Sequence, residues 1–228
     1  EERIAERIDA NLLDVTMEDL HDMPQQLYDG KIKKLREKTQ GQLIIKEYPT
    51  ASAHSGHFKS LINELALKKS FRPDVIFIDY LNICASSRFK GGNISSYFYV
   101  KAIAEELRGL AVESNVPIFS ATQTTRTGFV STDIGLEDTS ESFGLPATAD
   151  FMFALISNEE LEALGQMKVK QLKNRYNDPS VNRAFIIGVD RSKMRLYDVQ
   201  QKAGDIVNAN QVDEKEDAYN KFSDFKLW

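Results

Sequence analysis

The spacing of apolar residues along the chain changes from helical to strand-like and back, and each change predicts an element. Ile4, Ile8 and Leu12 recur one helical turn apart, so residues 2–13 read as an amphipathic helix. A second helix is expected between Pro24 and Lys38, with Leu27, Ile32 and Leu35 on its apolar side. Leu43–Tyr48 (LIIKEY) reads as a short strand stopped by Pro49. After the polar stretch TASAHSGH, Ser55 is placed to cap a helix whose apolar stripe is Phe58, Leu61, Ile62 and Leu65.

Pro73 precedes VIFID, a continuous apolar run ending in an acid. A strand without alternation is usually buried on both faces, which predicts a parallel sheet. The polar loop SSRFKGGNISS follows, and then a long helix with Val100, Ile103, Leu107, Leu110 and Ala111 on one face. Val116–Ala121 is the next buried strand, and a long loop from Thr124 to about Ala147 leads to an apolar strand at Phe151–Ile156. MKVKQLKNR, AFIIGVD and RLYDV then read as strands joined by turns, Asn177-Asp178-Pro179 being the clearest. Strand-helix-strand repetition with a strand-rich end is a three-layer α/β design with an edge extension. From about residue 200 the chain turns polar, passes through DEKED, and ends on Tyr219, Phe222, Phe225 and Trp228. The expected organisation is a main domain over residues 1–199 and a polar linker with an acidic, aromatic tail over 200–228.

At 228 residues and 42% hydrophobic, the chain can build one sizeable core, alone or with a small appendage. A net charge of -5 argues against a basic nucleic-acid coat, so any such contact rests on a few local cations, multiplied by oligomerisation. The single cysteine excludes an intrachain disulfide and, with no signal-peptide pattern, fits a reducing compartment. No apolar run is long enough to span a membrane. Because Glu1 is not Met and opens directly into a helical pattern, the sequence reads as a piece of a longer chain.

Four residues, at three places in the chain, carry candidate chemistry. Asp79 ends the apolar run Val75–Ile78. In open α/β sheets ligands bind at the carboxyl ends of the strands, where a carboxylate can hold the magnesium that accompanies nucleotide phosphates. It can equally be an acid that simply ends a strand. Gln123 follows the next buried strand (VPIFSATQ), at the same expected edge. Its amide can donate to a terminal phosphate or accept from a water, or it can face solvent as a loop residue. Lys173 and Arg175 lie two apart in VKQLKNRYND, so both leave one face of a strand. They suit a shared anion, or with Lys168 and Lys170 they form a solvated basic strand.

Taken together, DVIFIDYLNIC, a long amphipathic helix, a buried strand ending in SATQ, and then KNR resemble the DnaB-type hexameric replicative DNA helicases. Within that family the chain looks like the replicative helicases of T-even bacteriophages, over roughly Glu1–Val199, and EERIAERIDANLL looks like the helix after the family's catalytic-glutamate segment. The resemblance implies a RecA-like ATPase fold, a mostly parallel sheet sandwiched by helices, here truncated at its start and with a strand-rich edge. It implies ATP and magnesium as cofactors. Asp79 then matches the residue that holds magnesium through water, and Gln123 the sensor of the terminal phosphate. Arg175 matches the arginine finger that reaches the neighbouring subunit's nucleotide, with Lys173 its companion. Loops 86–95 and 124–143 match the channel loops that hold single-stranded DNA, with Arg88, Lys90 and Arg126 as phosphate contacts.

One departure is large. No G-x-x-x-x-G-K-[ST] sequence occurs, although the family implies a phosphate loop, upstream of Glu1. The expected function is therefore the motor domain of an ATP-dependent helicase, a homo-hexameric ring moving on single-stranded DNA and unwinding duplex at the fork. These 228 residues alone are expected to be inactive. The family implies a primase, a helicase loader and a replisome polymerase as partners, no membrane, and a cytoplasmic setting, that of an infected bacterial host for a phage protein. Rival readings are a RecA-like recombinase ATPase and a non-catalytic module that binds DNA or partners. His54 and His57, without an acid or cysteine at ligand spacing, make a poor metal site, and Cys84 reads as a core residue. The aromatic tail reads as an arm that docks a partner, or as a packed terminal helix.

Overall fold

The computed structural model describes residues 1–89, 94–124, 134–136, 144–178 and 180–200. The expected tail lies, from residue 201, outside the described residues. In chain order the elements are α1 (Glu2–Leu13), α2 (Met17–His21), α3 (Gln25–Lys38), α4 (Ser55–Lys69), β1 (Ile76–Ile78), a 3₁₀ turn (Leu81–Ile83), α5 (Ser96–Ser114) and β2 (Ile118–Ser120). There follow α6 (Gly144–Thr148), β3 (Phe151–Ile156), α7 (Glu159–Ala163), β4 (Gln166–Asn174), β5 (Ala184–Asp190) and β6 (Arg195–Asp198). β1 and β2 form one sheet, and a second has the order β3-β4-β5-β6. The chain divides into two compact units, one holding residues 1–47, 157–169 and those from 184 onward, the other 48–156 and 170–183.

In the first unit α1 closes on Asp14, whose backbone is left-handed (φ 55°). The Asp14 carboxylate accepts from Lys193 at 3.2 Å and Arg195 at 3.0 Å, hydrogen bonds that hold its pKa down. α3 begins after Pro24 as the pattern predicts. β5 and β6 pair antiparallel with Gly188 opposite Tyr197. The Tyr197 ring lies over Gly188, where a Cβ would oblige that half-exposed ring to move aside. The strand expected at Leu43–Tyr48 is absent. Its backbone meets no ladder partner among the described residues, and the Glu47 N–H donates to the Glu1 side chain at 3.1 Å instead.

In the second unit β1 and β2 are parallel, with Ile76 opposite Ile118 and Ile78 opposite Ser120. α5 supplies most of the core: Val100, Ile103, Ala104 and Leu107 are buried with Leu81, Cys84 and Leu145, and Ile78 packs against them. The expectation that VIFID is buried on both faces is not met. Phe77 is 72% exposed, and it stacks on the half-exposed Phe119 with ring centroids 5.3 Å apart. One face of β1 packs on the α5 cluster, while the other meets no covering layer among the described residues. β3 alternates likewise, with Ala154 and Ile156 buried and Phe151, Phe153 and Leu155 exposed.

The cap of α4 also differs from expectation. The N-cap is His54, not Ser55. His54 Nδ1 accepts from the Gly56 N–H at 3.0 Å, and His57 Nδ1 accepts from the His54 N–H at 3.2 Å. The two imidazoles thus form a reciprocal capping box, satisfying N–H groups that a helix start otherwise leaves unpaired. Among the described residues no helix is long and apolar enough to cross a membrane.

Candidate functional site

Parallel pairing brings the carboxyl ends of β1 and β2 to one edge, and the chain continues that alignment past both strands. The Leu81 N–H donates to the Ala121 carbonyl at 3.1 Å, and Thr122 Oγ1 donates to Asn82 Oδ1 at 2.8 Å. Gln123 Nε2 donates to Tyr80 Oη at 3.3 Å. Asp79 precedes Tyr80, is exposed, and has no ion-pair partner among the described residues. The Asp79–Tyr80 peptide bond is cis. The edge therefore presents a hard carboxylate oxygen and an amide tethered to the adjacent residue. That donor set suits a magnesium ion bound through water, since magnesium keeps several waters and needs few protein oxygens.

Lys173 and Arg175 are brought together at a different place. Lys173 Nζ donates to the carbonyls of Pro146 and Ala147 at the end of α6. Arg175 Nη2 donates to the same Ala147 carbonyl at 3.2 Å, and its Nη1 donates to Asp150 Oδ1 at 2.6 Å. The other oxygen of Asp150 accepts from Arg108 at 2.5 Å. Burial, with repulsion from Arg175 and Arg108, lowers the Lys173 pKa against the pull of Asp150. Lys170, on the same strand, is 5% exposed, so the strand is not a uniformly solvated basic face. Arg108, Arg175, Ala147 and Thr148, with Glu105 and Glu113, line an open cleft of about 540 Å³. This cluster draws its partners from α5, α6 and the approach to β3, whereas the Asp79–Gln123 edge is built on β1 and β2.

Of the expected DNA contacts, Arg88 is described, and it pairs with Glu105 of α5 at 2.5 Å. Lys90 and Arg126, with most of loop 124–143, lie outside the described residues. Four partners escaped the sequence reading: Tyr80, Arg108, Asp150 and Glu106. Only Glu106 left a signal, as an acid on the apolar stripe of α5 beside Leu107. Burial pushes its carboxyl up, but hydrogen bonds from Ser86, Ser87 and Ser55 outweigh burial and bring its pKa down to about 2.

The fold has known counterparts. A solved ATPase domain superposes with a TM-score of 0.69 at 16% identity, covering 85% of this chain and 69% of that one. A DnaB-like replicative helicase, solved in a study of its interactions with primase, gives a TM-score of 0.66 at 16% identity, covering 86% and 47%. No family model matches the chain. The fold is thus the α/β, RecA-like fold of helicase ATPase domains. In sequence, the chain is 43% identical to the DnaB-like replicative helicase of Enterobacteria phage T4 over 229 aligned residues, which span 97% of this chain. The chain is thus similar over nearly its whole length to a DnaB-like replicative helicase, and it spans about half the length (48%) of that relative.

Proposed function

We propose that the chain carries the later part of an ATP-driven motor that moves on single-stranded DNA and unwinds duplex at the fork as a homo-hexameric ring. The observation that carries this reading is that the chain segments bearing Asp79 and Gln123 leave neighbouring parallel strands at one sheet edge, tied by the Gln123–Tyr80 hydrogen bond, in a relative of a replicative helicase. Asp79 would hold Mg²⁺ through water beside the phosphates of ATP. Gln123 would sense the terminal phosphate. Its amide can either hold Tyr80 or turn to a phosphate oxygen, but not with the same N–H at once.

Lys173 and Arg175 would act on a nucleotide held by the neighbouring subunit. That they gather on elements other than those of the Asp79 edge favours a role in trans. The pairs to Asp150 and Ala147 use only part of the Arg175 fork, so other N–H donors remain for a phosphate. Hydrolysis requires a grip on the phosphates of the kind that a G-x-x-x-x-G-K-[ST] loop supplies, and that sequence does not occur in these 228 residues. Loops 86–95 and 124–143 would contact single-stranded DNA through Arg88, Lys90 and Arg126. A primase is the partner favoured by the second structural neighbour, whose study concerned such an interaction. A helicase loader and a replisome polymerase, and the cytoplasm of an infected host, complete the proposal.

The test is ATP hydrolysis by the full-length protein with and without single-stranded DNA, for wild type and Arg175→Ala. DNA-stimulated hydrolysis that collapses in the variant supports a motor shared between subunits. Full activity in Arg175→Ala removes the finger role. DNA binding with no hydrolysis and no nucleotide dependence would instead favour the non-catalytic module.

A further inference from the structure

The backbone that leaves the 3₁₀ turn toward α5 is pinned by one carboxylate. Glu106 Oε1 accepts from Ser86 Oγ at 2.6 Å, from the Ser87 N–H at 3.1 Å and from the Arg88 N–H at 3.3 Å. Its Oε2 accepts from the Ser87 N–H at 2.9 Å, Ser87 Oγ at 2.7 Å and, from the start of α4, Ser55 Oγ at 3.1 Å. The Ser86 N–H is taken by Tyr99 Oη at 3.1 Å, and Ser86 is 5% exposed. Successive N–H groups converging on one anion form a nest, a concavity that in other settings holds phosphate. Here the anion is built into the chain.

Glu105 does something different with the next charge. Successive helix residues point about 100° apart, so Glu105 leaves α5 to one side of the nest that Glu106 fills. Glu105 Oε2 pairs with Arg88 Nη1, and its other oxygen lies 3.9 Å from Lys101 Nζ. Both side chains of the Arg88 pair are partly exposed, so the pair exchanges readily with an external anion.

We propose that Glu106 is a positioning residue for single-stranded DNA binding: it fixes the backbone of Ser86–Arg88 so that Arg88 is presented in one direction, and Glu105 holds Arg88 as an internal stand-in for the phosphate that displaces it. This rests on the reading of loop 86–95 as a DNA contact. A fixed root lowers the ordering cost of binding, and the Glu105 pair sets a competitor that the phosphate must displace. Removing the two acids therefore acts in opposite directions, which a merely structural role for both would not produce.

The experiment is binding of a fluorescent oligo-dT to the full-length protein with a non-hydrolysable ATP analogue, followed by anisotropy. Glu105→Gln is expected to tighten binding by about 3–10-fold, and Glu106→Gln to weaken it by about the same factor. The Glu105→Gln gain is expected to vanish in an Arg88→Ala background, as coupling through that one cation requires. If Glu106→Gln does not fold, Ser87→Ala removes one of the pin's hydroxyl donors and is expected to weaken binding less. A Glu105→Gln protein that binds no tighter overturns the proposal, as does weakening by Arg88→Ala with none in Glu106→Gln or Ser87→Ala. Arg88→Ala binding like wild type removes the loop reading, and the proposal with it.

Discussion

Arg175 donates to Asp150 at 2.6 Å, and the carboxylate it uses is shared with Arg108. Asp150 is thus what lets two guanidinium groups and the Lys173 ammonium sit near one helix end. Replacing it with Ala leaves those cations facing one another. The Asp150 side chain is about a third exposed, so solvent screens part of the effect. Asp150→Ala is expected to cost about 1–2 kcal/mol of stability and to lower DNA-stimulated ATP hydrolysis by misplacing Arg175. Thermal melts and steady-state ATPase assays check both. Unchanged hydrolysis in a destabilised variant would mean that Asp150 serves the fold and not the finger.

Tyr80 gives a contrasting case. Its hydroxyl accepts from Gln123, both groups are near the surface, and the bond is long at 3.3 Å. Tyr80→Phe should therefore change stability by less than about 0.5 kcal/mol. It should nevertheless free the Gln123 amide, and the expected result is weaker dependence of DNA affinity on whether ATP or ADP is bound. Comparing oligo-dT affinity with ADP and with a non-hydrolysable ATP analogue measures this directly. An unaltered ratio would show that the Tyr80 tether plays no part in sensing.

Much of the fold was legible because it rests on local periodicity. α1, α3, α5 and β3–β6 fall where apolar spacing puts them, and Cys84 is in the core. The failures have a common cause, which is that periodicity does not say what lies opposite. LIIKEY has strand composition but no ladder partner among the described residues, so it stays irregular. VIFID reads as buried on both faces, but only one face meets a helix layer among the described residues. The candidate site divides in the same way. Asp79, Gln123, Lys173 and Arg175 were legible as positions in or just past strands, and the last two share partners at the end of α6. Their partners Tyr80, Arg108 and Asp150 are set by long-range packing, which leaves no mark in a single sequence.

His54 shows how a local rule can pick the wrong residue. Ser55 is the better N-cap by type, yet its hydroxyl is engaged by Glu106, and the His54 imidazole caps α4. His54→Ala is expected to lose about 1 kcal/mol, the usual cost of removing a cap. His54→Asn and His54→Asp should recover most of it, because their side-chain oxygens are strong N-cap acceptors. Denaturant unfolding of the three variants settles the matter. Equal losses in all three would mean that the imidazole contributes by packing on His57, whose ring centroid is 4.0 Å away.

The nest around Glu106 makes a prediction about pH whose sign follows from its ionisation. The folded-state pKa is about 2, below the ordinary carboxylate value of 4.5. A depressed pKa means that the ionised form is favoured by folding, so its contribution is complete above about pH 4.5 and is lost as pH falls toward 2. Glu106→Gln keeps the side-chain size and removes the charge. At neutral pH the variant should be less stable by about 1–2 kcal/mol, allowing for solvent screening of a half-buried group. The gap in melting temperature between wild type and variant should hold steady from pH 8 to about 5.5 and then narrow, because protonation makes the wild-type side chain as neutral as the amide. Comparing the two proteins at each pH cancels the acid sensitivity that all other carboxylates contribute. A gap that persists undiminished at pH 3 would show that the nest is held by the shape of the side chain rather than by its charge. A gap absent at neutral pH would show that water can satisfy Ser86, Ser87 and Arg88 as well as the carboxylate does.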